Sequence, residues 1–372
     1  MPLRKRILLK IAGALAALVV LAGVAGVFVV QSAWFYDRVR QLIVGTVETA
    51  TGGRVEVASF RFDWKHLRAE VLEFVLHGTE PAGKPPLFRA ARVVVDLKLV
   101  SILRRDVDIQ SLTVSDPRVY LTIGADGRTN VPEPKVRSTS QSSTVEDILK
   151  LAIGRFSLER GIFEVEAHSR IPFAARGENL NVNLAYDVTG PRYRGALSIQ
   201  PLYLKYDDYG PTPFAVNLAV TMEKNRIALD SATLATGATK VEANGALEDL
   251  AAPHARFRYQ ARAALTDIAR IFRAPQLRAG IGLVGGTGEW TPAAGLALSG
   301  TLHASGVEYR DDVLRLVDFR GDGAVSAGVK GVFAEACGSP ASTRAASGGK
   351  RCRARWAASP CAARISKSAA SV

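Results

Sequence analysis

Apolar positions recur first at helical spacing and then, from about residue 55, at almost every second residue. In DRVRQLIVGTVETA (37–50), Val39, Leu42, Ile43 and Val47 share one helical face, and Gly52-Gly53 supplies a stop. Strand patterns begin with Val55, Val57 and Phe60, then Leu72, Phe74 and Leu76. Val93, Val95, Leu97 and Leu99 alternate with Asp96 and Lys98, and Val119, Leu121 and Ile123 alternate with Tyr120 and Thr122. Residues 124–144 are rich in Gly, Pro, Ser and Thr and almost free of large apolar side chains. They close a first module at 34–130, with a linker at 131–144. A short helix is expected at 145–153, with Thr144 as its N-cap and Asp147 at the capping-box position.

From Arg155 to about Arg320 the pattern is nearly all strand. Leu180, Val182, Leu184 and Tyr186 alternate with Asn181, Asn183 and Ala185. Phe214, Val216, Leu218 and Val220 repeat the pattern, and Phe257, Tyr259 and Ala261 alternate with Arg256, Arg258, Gln260 and Arg262. Turn signals such as Thr189-Gly190-Pro191 and Asn244-Gly245 separate the runs, and one helical insertion is expected at 265–272. The expected fold is mainly β: an antiparallel meander over 145–330, one face greasy and one polar, with a few short amphipathic helices. A one-sided sheet must cover its apolar face with something. Self-closure into a barrel or sandwich, another chain, or lipid acyl chains all satisfy that need, and periodicity does not separate them.

The start of the chain adds a membrane. Residues 7–30 are apolar apart from Lys10, and about 20 apolar residues span a bilayer core. A cleavable signal has an apolar core of roughly 7–15 residues, although Gln31-Ser32-Ala33 also reads as a weak cleavage site. Residues 1–33 therefore read as a cytoplasmic basic stretch and a single transmembrane anchor. Arg4, Lys5, Arg6 and Lys10 keep the N-terminus cytoplasmic and send the body across. Trp34, Phe35 and Tyr36 follow at once, either as an interfacial aromatic belt or as packing for the first module.

The net charge of +13 suggests nucleic acid until it is located. Four positive charges lie at the N-terminus, and residues 331–372 hold seven Lys or Arg and one Glu. Little excess remains for the body, whereas a nucleic-acid binder concentrates charge on its fold, so no nucleic-acid partner is expected. All three cysteines (Cys337, Cys352, Cys361) follow residue 336, so the body has no disulfide or thiolate metal site.

Catalytic chemistry is not expected. The five histidines (His66, His77, His168, His254, His303) are scattered, without the i, i+4 spacing of a helical zinc site. The carboxylate pairs Asp106/Asp108, Asp207/Asp208 and Asp311/Asp312 sit at turns or strand starts. Gly280-Ile-Gly282-Leu-Val-Gly285 matches G-x-G-x-x-G, but Gly286-Thr-Gly288-Glu-Trp-Thr-Pro292 follows where a helix is required. The chain reads as non-enzymatic, with no cofactor, metal or catalytic residue.

Residues 106–121 (DVDIQSLTVSDPRVYL) and 126–130 (DGRTN) resemble the AsmA-like proteins and their TamB-like relatives. The order of basic start, span, amphipathic helix ending in Thr-Gly-Gly, and strands is also similar. Segments 231–250 and 295–309 look like the family's strand–Gly–strand unit. The resemblance covers about residues 1–330. It implies an elongated β-taco groove on the periplasmic side of the bacterial inner membrane. It also implies phospholipid movement between membranes or support of outer-membrane assembly, on a chain too short to cross the envelope alone. Lipid acyl chains would then cover the apolar face, with Leu180, Val182, Leu184, Phe214, Val216, Leu218, Phe257 and Tyr259 as groove candidates. A non-enzymatic scaffold binding an outer-membrane β-barrel protein by β-augmentation is the alternative. From 331 to 372 the alternation ends and Arg, Ala and Ser accumulate. That stretch is expected to be an aberrant, disordered basic tail: a frameshifted or misannotated end, the natural protein being longer, or else a genuine basic tail.

Overall fold

The computed structural model describes residues 32–81, 83–98, 108–133, 149, 152–168, 172–187, 189–312 and 314–328. It also describes the backbone of three strands at 331–339, 342–345 and 363–367. The expected span at 7–30 lies outside these residues, as do most of the linker and of the expected 145–153 helix. Among the described residues, no helix is long and apolar enough to cross a membrane.

Helix α1 (Ala33–Thr51) starts four residues before the periodicity suggested. Ser32 caps it: its backbone is extended and its hydroxyl accepts from Phe35 N at 3.3 Å. Gly52 ends it in the left-handed region (φ 78°), donating to Glu48 O. Strands β1 (Arg54–Asp63), β2 (Arg68–His77) and β3 (Phe88–Leu97) then pair antiparallel.

The expected all-antiparallel order needs one correction. Strands β4 (Ile109–Ser115) and β5 (Arg118–Ile123) are two halves of one rail, both antiparallel to β3. Both run parallel to β6 (Arg155–Ala167) in a single register, with Ser111 opposite Arg155 and Ile123 opposite Ala167. A parallel join needs a crossover of a dozen residues or more. The Pro- and Ser-rich stretch before β6 supplies that length, a topological role its composition did not reveal.

Beyond β6 the sheet is an antiparallel meander: β7 (Phe173–Asp187), β8 (Arg192–Tyr206), β9 (Tyr209–Glu223), β10 (Arg226–Thr236), β11 (Thr239–Glu248) and β12 (His254–Ala264). The expected helical insertion is α2 (Leu265–Ile271), after which β13 (Leu277–Thr291), β14 (Gly295–Arg310) and β15 (Leu314–Gly328) continue. Segment 295–309 is one unbroken strand, not a strand–Gly–strand unit; its Gly306 (φ 61°) makes an irregularity in the ladder instead of a turn. The expected tail also begins in strand. β16 (Gly331–Ser339) pairs with β15, β17 (Ser342–Ala345) pairs further along β15, and β18 (Ala363–Lys367) pairs with β16.

Among the described residues, all eighteen strands belong to one sheet. Among the described residues β1 pairs with β2 alone and β18 with β16 alone, so no ladder closes the sheet into a barrel.

A line of irregularities crosses the first half of the sheet. Glu73, Asp116, Arg160 and Asn179 take positive φ (48–54°) on β2, between β4 and β5, on β6 and on β7, and β8 slips register between Ile199 and Leu202. Where the register slips, at β6–β7 and β8–β9, a bulge bends the strand and raises its twist. Polar links hold the line: Arg160 grips Asp116 through two bonds of 2.8 Å, and Asn179 Nδ2 donates to Gln200 O at 3.0 Å.

Three short covers pack on the apolar face. Ile43, Val44 and Val47 of α1 lie against Val55, Val57 and Val71. Leu149 and Ile153 pack with Tyr193, Leu112, Leu184 and Met222 near one end of the strands. There Tyr193, 2% exposed, accepts from Ile153 N through its hydroxyl at 2.8 Å, and burial pushes its phenol pKa up. Tyr193→Phe should orphan that buried N–H and cost about 1–3 kcal/mol, measured as a lowered denaturant midpoint. The third cover, α2, is pinned by Asp267. Its Oδ2 accepts from Ala238 N (2.8 Å), Thr239 N (3.0 Å) and the Thr239 hydroxyl (3.0 Å) at the β10–β11 turn.

Candidate functional site

Alternation places every second side chain of a strand on one face, and the register decides which strands align those faces. Here they agree from β1 to β15. One row runs Val182–Leu197–Leu218–Ala232–Ala243–Tyr259–Gly286–Gly300–Val325, each residue directly opposite the next. The next runs Leu184–Gly195–Val220–Leu229–Gly245–Phe257–Gly288–Leu298. On the other side lie Ile199–Val216–Leu234–Val241–Ala261–Val284–Leu302. A further row links the two halves of the sheet: Val55–Leu76–Phe88–Val119–Phe163–Gly177–Leu202–Phe214.

All eight groove candidates stand on this face. Val182, Leu218 and Tyr259 share the first row and Leu184 and Phe257 the second. Val216 belongs to the third, Phe214 to the linking row, and Leu180 lies opposite Gly161. Each is half-buried, none sealed; Asn183, Asn217, Arg258 and Gln260, on the opposite face, are exposed. At about 4.8 Å between strands, the rows from β7 to β15 run for roughly 38 Å, longer than the ~30 Å hydrocarbon thickness of a bilayer.

Aromatic rings on this face lie down. A Cβ at Gly177 would collide with the Phe163 ring, one at Gly288 with the Phe257 ring, and one at Gly300 would come 3.0 Å from the Tyr259 hydroxyl. The first two rings cover a glycine on the neighbouring strand and the third reaches across Gly286 to the strand beyond, an arrangement that shields bare backbone. It also keeps the surface low, where upright rings would have divided it.

The opposite face carries cross-strand charge pairs. Arg68 holds Asp96 at 2.6 Å, Arg176 meets Glu164 at 3.2 Å, and Arg89–Glu73 and Arg92–Glu70 pair beside them. Hydrogen bonds from Arg68 hold Asp96 below the usual carboxylate range, and those from Arg160 do the same for Asp116. The Thr189 hydroxyl, with Arg192, depresses Asp187 further. Such pairs each contribute roughly 0.2–1 kcal/mol to strand pairing, and they satisfy one another instead of converging on a ligand.

The histidines stay apart. His66 bonds Asp63, His77 bonds Glu80, His254 faces Glu248 and His303 bonds Asp322, in four separate places. Among the described residues no group of three or more His, Cys, Asp or Glu is placed to hold a metal ion. The G-x-G-x-x-G match lies inside β13, with no helix after it. No family model and no curated protein matches this chain.

Two hollows follow α1 and strands β11–β14, the second reaching Ala261, Val284 and Leu302 of the third row. One of about 920 Å³ follows the outer side of α1 along Leu42 and Thr46, and one of about 640 Å³ rests against Lys240, Arg262 and His303 on β11–β14. The apolar face is an open strip, and its function has to be sought in its length. Of the three aromatics after the expected span, Trp34 is exposed while Phe35 and Tyr36 turn inward onto Trp64 and Phe60, at 6.2 and 6.1 Å between ring centres. Periodicity alone missed Tyr193, Asp267 and Trp64. Each draws its role from a partner 26 or more residues away, and only Trp64, an aromatic in a turn, carried a local signal.

Proposed function

We propose that this protein is anchored in the bacterial inner membrane by residues 7–30, with its body in the periplasm. Its apolar sheet face takes up phospholipid acyl chains, moving lipid between the membranes or supporting outer-membrane assembly. No catalytic step is involved. The observation that supports this reading is a single apolar face aligned over fifteen strands with only three short covers among the described residues. Apolar surface left in water costs about 25 cal/mol per Å², so a strip of this length favours an apolar filling. Acyl chains match it, being long, flexible and free of polar atoms, and the face offers them no buried charge to desolvate. Curvature into a groove, aided by the bulges at β6–β7 and β8–β9, would complete the enclosure.

The test is photo-crosslinking in membranes from residues 182 and 216, with 183 as the reference. Val182 and Val216 lie in adjacent rows of the apolar face and Asn183 points to the other side. Lipid adducts should form at 182 and 216 and be scarce at 183. Equal yields at all three positions would sink the proposal.

A second reading draws on the edge of β1, which has no strand partner on its outer side among the described residues. An outer-membrane β-barrel protein could add a strand there by β-augmentation. Purification with such a partner and without bound lipid would favour a scaffold over a lipid carrier.

A further inference from the structure

We propose that the tip of the β1–β2 hairpin, led by Trp64, rests in the phospholipid headgroup layer of the membrane that holds residues 7–30. The sheet then meets the bilayer at two points, the span and this foot; the contact presupposes the anchored reading above and adds to it.

The tip is built by Asp63. Its Oδ1 accepts from Lys65 N at 2.9 Å and His66 N at 3.3 Å, and its Oδ2 bonds His66 Nδ1 at 2.7 Å. The carboxylate thereby organises the turn, and Leu67 tucks inward, buried. Trp64 does not follow it. Its ring leans on Phe62, 4.3 Å between centres, yet 42% of the residue stays exposed, and Trp34 is 68% exposed. Lys65 and His66 beside it are exposed as well. An indole with one apolar side and one N–H prefers the boundary between hydrocarbon and water, and the adjacent Lys65 cation favours anionic headgroups.

The position of the tip supplies the occupant. Tyr36 Oη donates to Phe62 O at 3.3 Å, and Phe35 lies 6.2 Å from Trp64, so the first turn of α1 is latched to the hairpin. The apolar run ends at Val30, five residues before Phe35. Five residues reach at most about 18 Å even when fully extended. A bilayer holding residues 7–30 therefore keeps its surface close to Trp64. The two exposed indoles come from separate elements, one at the exit of the span and one from a hairpin, and the latch brings them to the same end of the sheet.

The test uses the full chain reconstituted into phosphatidylethanolamine–phosphatidylglycerol vesicles. One variant retains Trp64 alone (Trp34→Phe, Trp290→Phe, Trp356→Phe). A reference retains Trp290 alone, partly exposed on β13, far along the sheet from the β1–β2 hairpin. Lipids brominated near the headgroup end of the acyl chain should quench Trp64 severalfold more than Trp290, and acrylamide should quench it less. In the otherwise native chain, Trp64→Phe should remove part of the bromolipid-sensitive emission, which reads the same contact with three tryptophans in place. Quenching of Trp64 no stronger than that of Trp290, with lipid adducts at 182 and 216 intact, overturns the foot and leaves the carrier. The reverse result overturns the carrier and leaves the foot. A chain that does not float with the vesicles overturns both the anchor and the foot.

Discussion

Leu218→Glu is expected to strip the protein of most of its co-purifying phospholipid. Leu218 sits within the first apolar row, between Leu197 on one side and Ala232 on the other. A carboxylate there would face the acyl chains that the proposal lays along the row. A charge placed against hydrocarbon costs about 2.5–3.5 kcal/mol on insertion scales. Since 1.4 kcal/mol is a factor of ten in affinity, retention should fall by roughly a hundredfold. The comparison is Asn217→Glu, one residue away on the opposite, solvent-facing side. Lipid phosphate per protein, measured after gentle detergent extraction, should be unchanged in that variant. Leu218 is only half-buried, so the sheet should survive the change, and far-ultraviolet circular dichroism checks it. Equal lipid content in wild type and Leu218→Glu would show that acyl chains do not lie on this row.

Asn130→Ala should loosen the first module. The side chain closes the loop between β5 and the linker: its Oδ1 accepts from Thr122 N at 2.9 Å and its Nδ2 donates to Tyr120 O at 2.7 Å. It is buried at 7% exposure, so water cannot replace either bond readily. The preceding turn is set by Gly127 at φ 78° and by Asp126 Oδ1, which accepts from Arg128 N at 3.0 Å. Truncation leaves a backbone donor and a backbone acceptor without partners, and each such group costs about 1–3 kcal/mol. The expected loss is about 2–4 kcal/mol, with hydrogen exchange at the Thr122 amide accelerated by roughly a hundredfold. Asn130→Asp should fare little better, because a carboxylate oxygen would then oppose Tyr120 O. An unchanged exchange rate at Thr122 in both variants would show that the loop is held by other contacts.

What could be read from local sequence here was whatever depends on neighbours along the chain. The helix over 37–50, the insertion at 265–272 and the strands from 55 onward follow from apolar spacing, because period and backbone conformation are coupled residue by residue. The sidedness of each strand was legible for the same reason: Val182 and Asn183 cannot share a face. Asn130 was also visible, as the end of a short loop whose bonds are local.

Tertiary structure decided the rest, because it depends on which distant residues stand opposite one another. Nothing near Val182 says that its row continues through Leu218 to Tyr259, and a one-residue slip in any ladder would have reversed a strand and broken the apolar face. The parallel join of β4 and β5 to β6, the line of positive-φ residues from Glu73 to Asn179, and the lack of a strand partner beyond β1 among the described residues are properties of pairing, not of composition. So are the pin from Asp267 to the β10–β11 turn and the seating of Trp64 beside Phe35. Amphipathicity is written in the chain one strand at a time; the register turns it into a single continuous surface.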